Sequence, residues 1–108
     1  MAERIFVELT SGELEEAIES IEAKLRETVR RRASVEKELR SPEERYGINT
    51  MELSRLLDAA GKREVQWPFP DDADVDVAEW EALARLYMEF AGKEARLRRL
   101  LGKLRRRA

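Results

Sequence analysis

Two heptad frames of mostly apolar residues dominate this sequence. The first frame consists of Leu14, Ile18, Ile21, Leu25, Thr28, Arg32, Val35 and Leu39. The second consists of Trp80, Leu83, Tyr87, Phe90, Glu94, Leu97, Leu101 and Leu104. Alternating steps of three and four residues place such positions on one side of an α-helix. The frames therefore predict two long helices, over residues 12–40 and 77–105, that pack along these faces.

Three polar residues interrupt the frames, namely Thr28, Arg32 and Glu94. Buried without partners, they would cost free energy. We expect them to set the register of the helix pair or to lie at the edge of its seam.

The connection between the long helices contains signals for two short ones. Ser41 followed by Pro42 and Glu44 is typical of a helix start, which predicts a separate helix over 42–46 ended by Gly47. Thr50 is expected to cap a second short helix over 51–60. Leu53, Leu56, Leu57 and Ala60 form its apolar side, and Gly61 closes it.

The segment 61–75 is predicted to be a loop. It contains the run Trp67-Pro68-Phe69-Pro70. This run disfavours helix, because a residue before proline is pushed away from helical backbone angles. Asp76 is expected to cap the last helix.

The N-terminus predicts one short β-strand over residues 4–9. Ile5, Val7 and Leu9 alternate there with more polar positions, which is the two-residue period of a strand. Thr10 and Glu13 have the spacing of a capping box at the start of the first long helix.

Charge is arranged in blocks along the chain. The net charges of residues 1–23, 24–63, 64–92 and 93–108 are −6, +4, −7 and +7. An antiparallel pairing sets the acidic start of the first helix beside the basic end of the last, so this sense is favoured. It is also expected to bring Arg30, Arg31 and Arg32 near the acidic opening of the last helix.

Composition removes several kinds of chemistry. The chain has no Cys and no His, which excludes disulfides and the commonest general base and metal ligand. No cofactor is implied, and an enzyme is not expected. No apolar run is long enough for a bilayer, so we expect a cytoplasmic protein without membrane contact. The charge-dense, arginine-rich composition would suit a thermophile.

These patterns predict one all-α domain over residues 1–108. Its architecture is an antiparallel long-helix hairpin, coiled-coil-like, with one or two short helices in the connection and the short N-terminal strand. Whether the seam forms within a chain or across a homodimer is left open by the sequence.

The expected function is binding another protein. Candidate contact residues are Ile5, Phe6, Val7, Tyr46, Trp67, Phe69 and Trp80. An exposed tryptophan is a typical hot spot, and a short strand can add to a partner's sheet edge. The competing interpretation is that Trp67 and Phe69 cap the core of the hairpin.

Direct nucleic-acid binding is not favoured. The basic C-terminal residues have acidic neighbours to pair with, and the chain carries a net charge of −2. A minority hypothesis rests on the strand followed by a helix, which resembles the opening of ribbon-helix-helix DNA-binding regulators. In that arrangement Arg4, Phe6 and Glu8 would face the DNA.

A second resemblance covers roughly residues 40–90. The segment Arg45-Tyr46-Gly47-Ile48-Asn49-Thr50-Met51-Glu52-Leu53 is similar to a signature of Lys or Arg, Tyr, Gly, a hydrophobic residue, Ser or Thr, and Glu. Acidic residues and Glu79-Trp80-Glu81-Ala82-Leu83 follow. This order resembles short prokaryotic, often archaeal, proteins of the antitoxin type. The chain departs from that group at Leu56 and Leu57, where an aromatic is commoner, and in a longer loop.

The resemblance implies a helical protein that binds and neutralises a cognate toxin in a toxin–antitoxin system, with no catalytic residues. A self-assembling helical scaffold is the structural alternative, and a ribbon-helix-helix DNA-binding regulator is the other.

Overall fold

The computed structural model describes residues 10–62 and 69–107. They form three α-helices, α1 (Ser11–Tyr46), α2 (Thr50–Gly61) and α3 (Asp74–Arg107), with a 3-10 turn (Asp71–Ala73) before α3. The long helices α1 and α3 pack together, which confirms the all-α class and the long-helix pair. The predicted strand over 4–9 lies outside the described residues, as does Trp67.

The structure consists of two compact units. The first unit combines residues 10–32 with residues 89–107. The second is formed by residues 33–62 and 69–88. Each long helix contributes to both.

The helices of the first unit are antiparallel. Arg32 Nε lies 2.7 Å from Glu94 Oε2, and Arg105 Nη2 lies 3.6 Å from Glu22 Oε1. The earlier residue of α1 therefore pairs with the later residue of α3, as antiparallel helices require. The predicted sense is confirmed, and this pairing forms within one chain. The buried seam residues of this unit are Leu14, Thr28, Leu97, Leu101 and Leu104.

The expected position of the arginine run is wrong. Arg32 lies opposite Glu94, whereas Arg30 and Arg31 both pair with Glu27 on their own helix. The acidic opening of α3 belongs to the second unit. Burial of the apolar frames outweighs the pairing of the exposed charge blocks, because burial of a leucine is worth more than an exposed ion pair.

In the second unit α1 continues through Pro42 to Tyr46, so the separate helix predicted over 42–46 does not exist. Pro42 has no amide hydrogen for the carbonyl of Glu38, which normally weakens a helix. Contacts of Tyr46 and Arg45 with α3 hold this last turn in place. Gly47 ends α1 as predicted, and its backbone φ is +70 degrees. A positive φ of this kind favours glycine, which has no Cβ.

The cap of α2 differs from the prediction by one residue. Asn49 is the N-cap, and its Oδ1 accepts a hydrogen bond from the amide of Glu52 at 2.8 Å. Thr50 is the first residue of the helix, and its side chain is used elsewhere. The predicted apolar side faces inwards, with Leu53 only 1% exposed. Gly61 is the last helical residue, and Lys62 follows as the C-cap.

The start of α3 also differs. The helix begins at Asp74 rather than at Val77, so Asp76 lies inside its first turn and is not the cap. Its carboxylate instead accepts hydrogen bonds from α1, as described below. Ala73 and Val77 are buried beneath this turn.

Candidate functional site

Three of the aromatic residues predicted to bind a partner meet in the second unit. The rings of Tyr46 and Trp80 are stacked, with centroids 5.9 Å apart and an interplanar angle of 13°. Phe69 lies edge-on to both, at 5.3 Å from Tyr46 and 6.5 Å from Trp80. The three side chains join the end of α1 to the start of α3.

A polar network surrounds these rings. Trp80 Nε1 donates a hydrogen bond to Thr50 Oγ1 at 3.1 Å. Thr50 in turn donates to Glu43 Oε2 from its hydroxyl at 3.0 Å and from its amide at 2.8 Å. The indole N–H, which is costly to bury without a partner, is therefore satisfied through α2 and α1.

Asp76 is the second polar centre of this unit. Its Oδ2 accepts hydrogen bonds from Arg45 Nη1 at 2.8 Å and from the hydroxyl of Tyr46 at 2.9 Å. The bond to Asp76, with a smaller contribution from burial, raises the pKa of Tyr46 above its ordinary value. The same carboxylate raises the pKa of Arg45.

The aromatic cluster is a packing site. Trp80 is 0% exposed and Phe69 is 9% exposed, so neither presents a ring to a partner. The burial of Phe69 agrees with the interpretation in which it caps the core. Tyr46 is half-buried. Ile5, Phe6, Val7 and Trp67 lie outside the described residues.

The first unit carries a groove between α1 and α3 that we name the arginine groove. Its volume is about 340 Å³, and it is lined by Glu22, Leu25, Arg26, Arg98, Leu101, Gly102 and Arg105. Its floor is apolar. Leu101 is buried, Leu25 is half-buried, and nothing lies within 4 Å of the position that a Cβ of Gly102 would occupy.

The rim of the groove is mostly positive. Arg105 lies 3.6 Å from Glu22, and Arg98 donates a hydrogen bond to Glu94 at 3.0 Å. Arg26 is exposed, and no ion pair is found for it among residues 10–62 and 69–107. The lining thus contains three guanidinium groups and one carboxylate, a setting that favours a ligand with negative charge.

Glu94 is shared between the groove and the seam. Its Oε1 binds Arg98 and its Oε2 binds Arg32, and its side chain is only 14% exposed. The hydrogen bond from Arg98, helped by the charge of Arg32, lowers the pKa of Glu94 despite its partial burial. Glu94 therefore links Arg98 on the rim of the groove to Arg32 in the seam.

The two units have opposite charge. The described residues of the first unit contain thirteen Lys and Arg against eight Asp and Glu, a net charge of +5. Those of the second contain six against twelve, a net charge of −6. A chain that is nearly neutral as a whole therefore carries a strongly basic part and a strongly acidic part.

The sequence did not predict the groove, although four of its lining residues belonged to other predicted features. Leu25 and Leu101 were assigned to the seam, and Arg98 and Arg105 to the basic end of the chain. Arg26 was not singled out. The sequence did carry a signal for it. Arg26 lies four residues after Glu22 and next to Leu25 of the first frame, and a residue in that position borders the seam.

Among residues 10–62 and 69–107, no group of three or more acidic side chains is arranged to hold a metal ion. In the same residues, no helix combines the length and the apolar character needed to cross a membrane.

Comparison of the chain with known protein families, with curated proteins and with solved structures gave no match.

Proposed function

We propose that this protein is a non-catalytic, cytoplasmic protein-binding module of antitoxin-like type that holds an acidic amphipathic segment of its partner in the arginine groove. The observation that carries the proposal is the groove itself. It combines an apolar floor, at Leu25 and Leu101, with the guanidinium groups of Arg26, Arg98 and Arg105. An amphipathic helix with carboxylates beside its apolar face complements both features.

A protein suits this groove better than a nucleic acid. Phosphates need positive charge but gain nothing from a leucine floor, and single-stranded bases need aromatic rings on which to stack. Among the described residues of the first unit the aromatic residue is Phe90, which is half-buried and is not part of the groove lining. The −6 charge of the second unit also opposes a long polyanion.

The identity of the partner as a toxin comes from the resemblance at residues 45–53 and 79–83. In the structure those segments form the end of α1, the start of α2 and a stretch near the start of α3 in which Trp80 is buried. Tyr46 and Trp80 thus supply the aromatic stack of the scaffold. The likeness therefore concerns the scaffold, and the arginine groove supplies the proposed contact.

The test is copurification of the tagged full chain with the product of the adjacent gene. We expect a stable complex with the wild type and at least about a tenfold loss of affinity with Arg26→Glu. Arg55→Glu is the matched control. It makes the same change of charge on an exposed residue of α2 in the other unit, so its complex should be unchanged.

Two results would count against the proposal. One is a partner that Arg26→Glu retains as well as the wild type. The other is copurifying material that absorbs as nucleic acid and is released by nuclease, which would move the function to the nucleic-acid class.

A further inference from the structure

The second unit presents an exposed apolar stripe on α3. Val75, Ala78, Ala82 and Leu86 are three or four residues apart, so they share one face of the helix. All four are exposed, with Val75 at 67% and Leu86 at 38%. The stripe points away from the buried face that carries Val77 and Trp80.

Carboxylates border this stripe. Asp71, Asp72, Asp74 and Glu79 are all exposed. Within the described part of the chain none of the four has an ion pair or a side-chain hydrogen bond, in contrast to Asp76 and Glu81, which bind Arg45 and Arg85. We name this surface, the stripe with its four carboxylates, the acidic face.

The acidic face has the chemistry that the arginine groove accepts. The groove offers leucines and guanidinium groups, whereas the face offers Val75, alanines and carboxylates. The small alanines in the middle of the stripe allow close approach of its backbone to a groove floor. Gly102 leaves space for this approach in the groove, because no atom lies within 4 Å of the position that its Cβ would occupy.

Neither surface is covered within the chain. Val75 and Leu86 of the face are exposed, and Arg26 of the groove is exposed as well. Both surfaces are therefore open to a second molecule.

We propose that a second copy of this chain occupies the arginine groove with its acidic face. Each copy offers one groove and one face, so a two-fold arrangement would satisfy both contacts and close as a homodimer. This self-association rests on the described surfaces alone. It would stand even if the antitoxin-like function were wrong.

A charge-exchange experiment tests the contact. The oligomeric state of the full chain is measured by sedimentation velocity over a dilution series of about a hundredfold. A reversible dimer dissociates on dilution, so its apparent mass should fall across the series. Arg26→Glu and Glu79→Arg should each raise the dissociation constant about tenfold or more. Mixed in equal amounts, the two variants should form a mixed dimer, since one intact and one reversed contact then carry complementary charge.

Groove filling provides an independent variant. Gly102→Leu should fill the floor and abolish the dimer, whereas Gly102→Ala adds only a methyl group and should leave it intact. Both replace a helical glycine by a better helix former, so neither is expected to unfold α3. Circular dichroism confirms that each variant is folded before its mass is interpreted.

The proposal is overturned by a wild type that stays monomeric at every concentration, or by a dimer that survives both Arg26→Glu and Gly102→Leu. Failure of the mixed variants to associate would also overturn it. A monomer whose groove binds only the separate partner protein would overturn the self-association while leaving the proposed function in place.

Discussion

Arg32 of α1 and Glu94 of α3 form an ion pair inside the seam of the first unit, with Nε and Oε2 2.7 Å apart. Their side chains are only 23% and 14% exposed. Both occupy positions of an apolar frame, where leucines would pack at least as well. The pair therefore marks one register among those that the leucines alone would allow.

Removing one partner of this pair should cost more than removing both. Glu94→Leu removes the Glu94 carboxylate from beside the partly buried Arg32, and we expect a loss of about 1–3 kcal/mol in the free energy of unfolding. Arg32→Met should cost a similar amount. The double variant should be close to the wild type or more stable. Urea unfolding measures all four proteins, and a double variant less stable than both single variants would contradict this account.

Stability should fall in acid through Glu94. Because its pKa is lower in the folded protein than in the unfolded chain, the stabilisation is complete above the unfolded value, near 4.5. It is lost as the pH falls through the lower, folded value. Melting temperatures measured across this range should therefore decline less in Glu94→Gln than in the wild type. Parallel declines in the two proteins would show that other carboxylates dominate.

The aromatic cluster should be the most sensitive part of the second unit. Trp80→Ala removes a fully buried side chain and should cost about 3–5 kcal/mol. Thr50→Val leaves the indole N–H without its acceptor and should cost about 1–3 kcal/mol. Met51→Ala is the control, because Met51 lies next to Thr50 and is largely exposed. Loss of its side chain should change the free energy of unfolding by no more than about 0.5 kcal/mol. Urea unfolding of the three variants gives the order of these losses.

The same substitution should have opposite effects at two glycines. Gly102 lies in the interior of α3 with open space around its missing Cβ. Because alanine favours helix, Gly102→Ala should stabilise the protein by up to about 1 kcal/mol. Gly47 has a positive φ. A residue with a Cβ is strained there, so Gly47→Ala should destabilise the protein by roughly 1 kcal/mol or more. Thermal unfolding of the two variants gives the signs directly.

The heptad frames were sufficient to predict which faces of the long helices are buried. All sixteen frame residues are buried or half-buried, including the three polar ones. Thr28, only 3% exposed, satisfies its hydroxyl by donating to the carbonyl of Lys24 at 2.8 Å. A hydroxyl can always find this acceptor one turn back in its own helix, so a frame tolerates threonine without any partner on the other helix.

Helix boundaries were harder to predict. Asn49 and Thr50 are both good N-cap residues, and the sequence does not distinguish them. The structure uses Asn49 as the cap, because the Thr50 hydroxyl accepts from Trp80 and donates to Glu43. Asp76 was predicted to be a cap because aspartate is also a good N-cap residue, but its carboxylate accepts a hydrogen bond from Tyr46 on α1. Long-range partners decided both cases, and local patterns carry no information about them.

The contact surfaces could be predicted least. A groove depends on which residues of α1 lie opposite which residues of α3, and a shift of one turn would separate Arg26 from Arg98. Charge blocks indicated the antiparallel sense but not the register. The ion pair of Arg32 with Glu94 supplies the missing information, and it became visible only in the structure.

Pro42 has a consequence for the order in which α1 folds. The turn that ends at Pro42 lacks one backbone hydrogen bond, and the proline ring crowds the carbonyl of Glu38. Continuing the helix past this point to residues 43–46 is therefore only weakly favoured by local structure. Their order depends on Asp76, which is thirty residues beyond Tyr46 in the chain. The body of α1 can form early from local contacts, whereas its last turn must wait for α3. Amide hydrogens of residues 43–46 are therefore a direct reporter of whether the second unit has closed.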